Sequence, residues 1–74
     1  MRIINLVDGT DINYEHFNLT TRTTPEGFFE IVAYSNFNSN RATIALCDKL
    51  NDVETIMKEI ALAYQNGVKA YFVK

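Results

Sequence analysis

The sequence holds one cysteine, Cys47, and one histidine, His16, in 74 residues. A lone cysteine excludes a disulfide within the chain, and one Cys with one His falls short of the four ligands of a structural zinc site. Basic residues are sparse in any one place. Seven Lys and Arg run from Arg2 to Lys74 with no two adjacent, against nine acidic residues, for a net charge of −2. Duplexes and anionic membranes are bound by clustered cations, so this distribution predicts neither duplex nucleic acid nor membrane as a partner. Glycine is equally thin: Gly9, Gly27 and Gly67 stand apart, and none opens a glycine-rich phosphate loop. Long apolar runs are missing too. Ile3-Ile4-Asn5-Leu6-Val7 gives way to Asp8-Gly9, which is too short for a signal-peptide core or a membrane span. With the free thiol, this predicts a cytoplasmic protein.

What is present is apolar content, 47% of residues, with 12% aromatic. That composition specifies a packed core and excludes a disordered chain. The length gives a single domain, residues 1–74, in which folding buries only about 60–65% of the unfolded chain's surface. Without disulfide or metal, stability rests on a well-packed core, a partner chain, or both.

Residues 3–7 read as a strand, and Asp8-Gly9 as a tight hairpin turn, because both central residues tolerate positive φ. Ile12 and Tyr14 start the return strand, which runs on through the β-branched stretch 16–23. Thr24-Pro25-Glu26-Gly27 is a turn, and Phe28 to Tyr34 the next strand. After the polar loop 35–40, Arg41 to Cys47 alternates with Ala42, Ile44 and Leu46 on one face. Asn51, with Glu54 three residues on, has the form of a helix cap with its reciprocal partner. Val53, Ile56, Met57, Ile60, Ala61 and Tyr64 then follow at helical spacing, and Asn66-Gly67 ends the helix. Lys69 to Val73 is a closing strand. The expected order is β-β-β-β-α-β. This predicts a two-layer α+β fold, a mostly antiparallel sheet of four to five strands with one helix packed on one face.

Such a fold leaves apolar surface over. Phe29, Ile31 and Ala33 point one way from their strand while Phe28, Val32 and Tyr34 point the other, and one helix covers one face. An aromatic sheet face made of Phe28, Val32, Tyr34, Phe37 and Tyr71 is therefore the candidate interaction surface. The same aromatics could instead stack the bases of single-stranded nucleic acid, although Arg22, Arg41 and Lys69 are the only cations available to frame them.

The residues that bear chemistry read as structural. His16 has no neighbouring nucleophile in sequence, and Cys47 lies beside Asp48 with Lys49 two residues on. Asp8, Asp11 and Glu15 are the densest acidic group, but their spacing matches no calcium loop. No catalytic residue, metal or cofactor is expected.

The opening Ile3-Ile4-Asn5-Leu6 with Asp8-Gly9-Thr10 and Ile12-Asn13-Tyr14, and the closing Ile56-Met57-Lys58-Glu59-Ile60 helix running to Asn66-Gly67, carry a resemblance. The chain resembles a group of short, uncharacterised proteins of Gram-positive bacteria and their phages. The resemblance implies a cytosolic accessory or mobile-element protein and assigns no site. Residues and resemblance together point to a non-enzymatic interaction or regulatory module, such as a stoichiometric inhibitor, working as a homodimer or on a protein partner. A single-stranded nucleic-acid binder is the alternative.

Overall fold

A computed structural model of the chain describes residues 1–73. These residues form an α+β domain with one helix and six strands in two three-stranded sheets. Two sheets replace the single sheet expected of the alternation, and the cause lies at Tyr14–His16. β1 (Arg2–Asn5) pairs antiparallel with β2 (Thr10–Asn13), but the return strand stops there. Tyr14–His16 forms a 3-10 turn, begun by the Asn13 side chain accepting from the Glu15 N–H. An Asn side chain that bonds the backbone two residues on competes with a strand ladder. The chain leaves the turn as β3 (Phe17–Thr23), in a different sheet from β2.

The hairpin before it also differs from the reading of its sequence. Leu6 and Val7 belong to a four-residue loop, Leu6–Gly9, with Asn5 opposite Thr10. Asn5 Oδ1 accepts from the Val7 N–H and Asp8 Oδ1 from the Thr10 N–H, while Gly9 takes φ +78°. These side-chain bonds favour a wider turn than Asp-Gly alone would make.

β3, β4 (Phe29–Ser35) and β5 (Arg41–Cys47) form an antiparallel meander in sequence order. Between Ile31 and Val32 the register shifts: Ile31 faces Ala45 and Val32 faces Thr43, so Ile44 has no partner. This bulge places two consecutive residues, Ile44 and Ala45, in the core. Leu46 is thereby turned outward, against the expectation that Ala42, Ile44 and Leu46 share a face. The Ile44 carbonyl accepts from Asn5 Nδ2 at 3.0 Å, which ties the two sheets together.

α1 (Leu50–Gln65) begins with Lys49 at the cap position and no side-chain cap bond, so Asn51 lies inside the first turn and does not cap the helix. The Asn51 carbonyl accepts from Thr55 Oγ1 instead. The C-terminus follows its sequence closely. Gly67, at φ +74°, donates to the Tyr64 carbonyl and Val68 donates to the Ala63 carbonyl, closing the helix in a Schellman turn. β6 (Ala70–Val73) then pairs parallel with β1 as the outer strand of the first sheet.

Ile3, Ile12, Ile31, Ala33, Ile44, Ala45, Val53, Ile60 and Val73 make one core, drawn from both sheets and the helix. The second sheet supplies the apolar cover that one helix lacks. On α1 the buried line is Val53 and Ile60, flanked by Ile56, Met57 and Ala63; Ala61 is exposed. Tyr64 lies half outside the core and rests on Tyr14, with ring centroids 4.8 Å apart. Among the described residues, no helix is long and apolar enough to cross a membrane.

Candidate functional site

The five residues expected to form one interaction face are placed in three environments. Val32 and Tyr34 share the outward face of β4, yet Val32 is only 2% exposed. The register explains this: Thr20 and Thr43 flank Val32, and Arg22 and Tyr34 lie on opposite sides of that row. Arg22 Nη1 donates to Tyr34 Oη at 3.3 Å, which carries the guanidinium across the Thr20–Val32 row. Glu30 accepts from Thr43 Oγ1 on the same face. The outward face of this sheet is therefore largely polar, with Phe28 half exposed just before the strand. Phe37 sits in the loop after β4 and meets His16 edge to face, centroids 5.2 Å apart. The Asn36 N–H donates to the His16 carbonyl, docking that loop on the 3-10 turn.

Tyr71 belongs to the other sheet and packs at the margin of the core. Its hydroxyl donates to Glu59 Oε1 at 2.6 Å. Burial first, and then the bond to Glu59, push its pKa up to about 12.

The other titratable residues are divided among separate structural duties. Asp8 caps the hairpin loop, where the Thr10 N–H holds its pKa low. Asp11 pairs with Arg2 across the β1–β2 ladder. Glu15 pairs with the Met1 ammonium at 2.6 Å, which holds its carboxyl below the usual range. Among the described residues, no three His, Cys, Asp or Glu side chains gather where a metal ion could bind. Cys47 is half-buried, and burial together with Asp52 and Asp48 raises its pKa, which disfavours the thiolate.

Other exposed apolar side chains border two grooves. A groove of about 220 Å³ runs between the β1–β2 loop, the end of β5, the helix and the end of β6. Val7, Leu46, Cys47 and Ile56 give it apolar walls, with Asp8 and Thr43 at polar positions. Val7 is 89% exposed and Leu46 61%. Ile56 also lines a second, adjoining groove between α1 and β6, together with Asp52, Thr55, Glu59, Tyr71 and Phe72. Phe72 is 50% exposed. The charged residues among the described lining of both grooves, Asp8, Asp52 and Glu59, are all acidic.

Beside the second groove, part of the β6 backbone has no strand partner among the described residues. Arg2 donates to the Lys69 carbonyl, and in a parallel ladder this assigns the groups of residues 69, 71 and 73 to β1. The N–H and C=O groups of Ala70 and Phe72 therefore face away from β1, along the sheet's open edge.

Of the expected surface, only Tyr71 lines these grooves. Val7, Leu46, Ile56 and Phe72 lie outside the expected face: helical spacing assigns Ile56 to the buried stripe, and alternation hides the others. It assigns Val7 to a strand and Leu46 to the core, and only the wider loop and the bulge turn both out. Compared with protein-family models, curated proteins and solved structures, the chain matches none.

Proposed function

We propose that this chain is a non-enzymatic protein-interaction module that takes an extended, apolar and basic segment of a partner protein along the two grooves that meet at Ile56. The observation that carries this reading is the exposure of Val7, Leu46 and Phe72 around grooves whose described charges are Asp8, Asp52 and Glu59. Covering one such side chain is worth about 1.5–3 kcal/mol, and the acidic lining selects cationic neighbours. The outward groups of Ala70 and Phe72 offer an extended segment two residues of strand pairing.

A non-enzymatic role is supported by the use already made of the titratable groups. His16 packs on Phe37, Cys47 is disfavoured as a thiolate, and Asp8, Asp11 and Glu15 are held in turns and ion pairs. The half-buried free thiol suits a cytoplasmic regulatory accessory.

The test is amide NMR of labelled protein titrated with a capped peptide of alternating Lys and Leu, with an alternating Glu and Leu peptide and oligo-dT as comparisons. The expected result is a salt-sensitive response to the Lys-Leu peptide at residues 7, 46, 47, 56 and 72, and none to the Glu-Leu peptide. Equal response to both peptides, or none to either, would overturn the reading. Tighter binding of oligo-dT would replace it with the nucleic-acid one.

A further inference from the structure

β3 (Phe17–Thr23) is an edge strand whose outer side pairs with no described strand. Its inner edge is occupied by β4 throughout. Two bonds at the ends of that ladder fix which groups are used: the Asn36 N–H donates to the His16 carbonyl, and the Thr24 N–H to the Phe28 carbonyl. Both fall on the same antiparallel register as the strand pairs, so the even-numbered residues of β3 bond to β4. The N–H and C=O groups of Leu19, Thr21 and Thr23 and the C=O of Phe17 therefore point outward with no described element paired to them, while the Phe17 N–H donates to the Tyr14 carbonyl at the end of the 3-10 turn.

The two edges of this sheet are treated differently. β5 carries the bulge, lies against β1 and β2, and has its free Ile44 carbonyl taken by Asn5. β3 is regular and has neither proline nor lysine, the residues that most often protect an exposed edge. Its single charge, Arg22, extends over the sheet face towards Tyr34.

We propose that a second copy of this chain occupies the β3 edge, pairing β3 with β3 antiparallel about a two-fold axis at Thr20 and joining two three-stranded sheets into one. The partner follows from the strand itself. Self-pairing about Thr20 sets Leu19 against Thr21 of the other copy, where both bonds form, and Phe17 against Thr23, where the Thr23 N–H donates to the Phe17 carbonyl. The even residues then form the close, non-hydrogen-bonded pairs: Asn18 opposite Arg22, and Thr20 opposite Thr20 on the axis. Cross-strand Thr pairs are favourable, and no like charges oppose each other. Moving the axis to Thr21 would set Phe17 opposite Pro25, which has no N–H for the Phe17 carbonyl, and moving it to Leu19 would leave Thr23 unpaired. A two-fold interface lets one edge serve both sides. Because β3 and β5 are opposite edges of the sheet, this pairing leaves the groove beside β5 open, and it stands or falls independently of peptide docking.

Light scattering after size exclusion, across a concentration series of the whole chain, tests the proposal. The wild type is expected to reach twice its 8.5 kDa chain mass. Thr21→Pro removes an outward N–H without touching the β4 ladder, and should give a folded species at single mass. Thr20→Lys and Thr20→Glu place like charges together on the axis. Each alone should be monomeric, and an equimolar mixture should return to double mass, with the two variants eluting together. A wild type that stays at single mass throughout the series would overturn the proposal. So would a Thr21→Pro protein that still dimerises, or Thr20 variants that dimerise as well alone as when mixed. The Thr20 pair decides the matter if Thr21→Pro fails to fold.

Discussion

At the scale of single residues, Tyr71 is where protonation and folding are most directly linked. Its hydroxyl donates to Glu59, and its surroundings are partly desolvated, so the neutral phenol is the favoured form in the folded chain. A raised folded pKa means the unfolded chain ionises first. The stabilisation is complete below the ordinary value of 10.0 and is lost as pH rises from there to about 12. Urea unfolding across that window should show a loss of stability that Tyr71→Phe lacks. Equal pH dependence in both proteins would mean that the phenol is freely solvated. Val32 makes a second point at this scale: an apolar residue on an outward face was closed off by its row neighbours and by one arginine.

At the scale of elements, the helix and the bulge make distinct predictions. Ile60 lies in the centre of the buried stripe at 1% exposure, so Ile60→Ala should cost about 2–5 kcal/mol through lost burial and the cavity left behind. Asn51 caps nothing, so Asn51→Ala should stay within about 0.5 kcal/mol of wild type. Thermal melts of the two variants test the order, and comparable losses would restore Asn51 as a cap.

Asn5 is the matching case for the sheets. Its amide satisfies the carbonyl that the β5 bulge strands at Ile44, and its own oxygen holds the loop at Val7. Asn5→Ala should therefore cost about 1–3 kcal/mol, more than an ordinary surface change. Amide exchange should quicken on both β1 and β5. Quickening confined to β1 would show that the bond does not couple the sheets.

At the scale of the whole molecule, stability and docking should separate cleanly. Val7 and Leu46 lie at the groove but outside the core, so Val7→Ser and Leu46→Ser should leave the melting temperature nearly unchanged. Each removes an apolar side chain worth about 1.5–3 kcal/mol when covered, which corresponds to roughly ten- to hundredfold weaker binding of the Lys-Leu peptide. Isothermal calorimetry on the two variants checks this. Unchanged affinity would place the docking surface elsewhere.

The amino-acid order by itself determined the features that rest on local chemistry. Apolar spacing at Val53, Ile56, Met57 and Ile60 specifies the helix, and Asn66-Gly67 its end, because a left-handed residue after the last turn is a requirement glycine meets at little cost. The inward set Phe29, Ile31 and Ala33 and the turn at Thr24–Gly27 were equally readable, being matters of period two and of proline and glycine geometry. Tertiary structure alone decided that β5 bulges at Ile44 and that Leu46 faces outward, whereas the break between the sheets and the outward Val7 rest on local Asn and Asp side-chain bonds that alternation does not report. Alternation cannot report a residue added to one strand. Whether Ile44 and Ala45 both turn inward depends on the space left between β1, β4 and the helix, elements far apart in the chain.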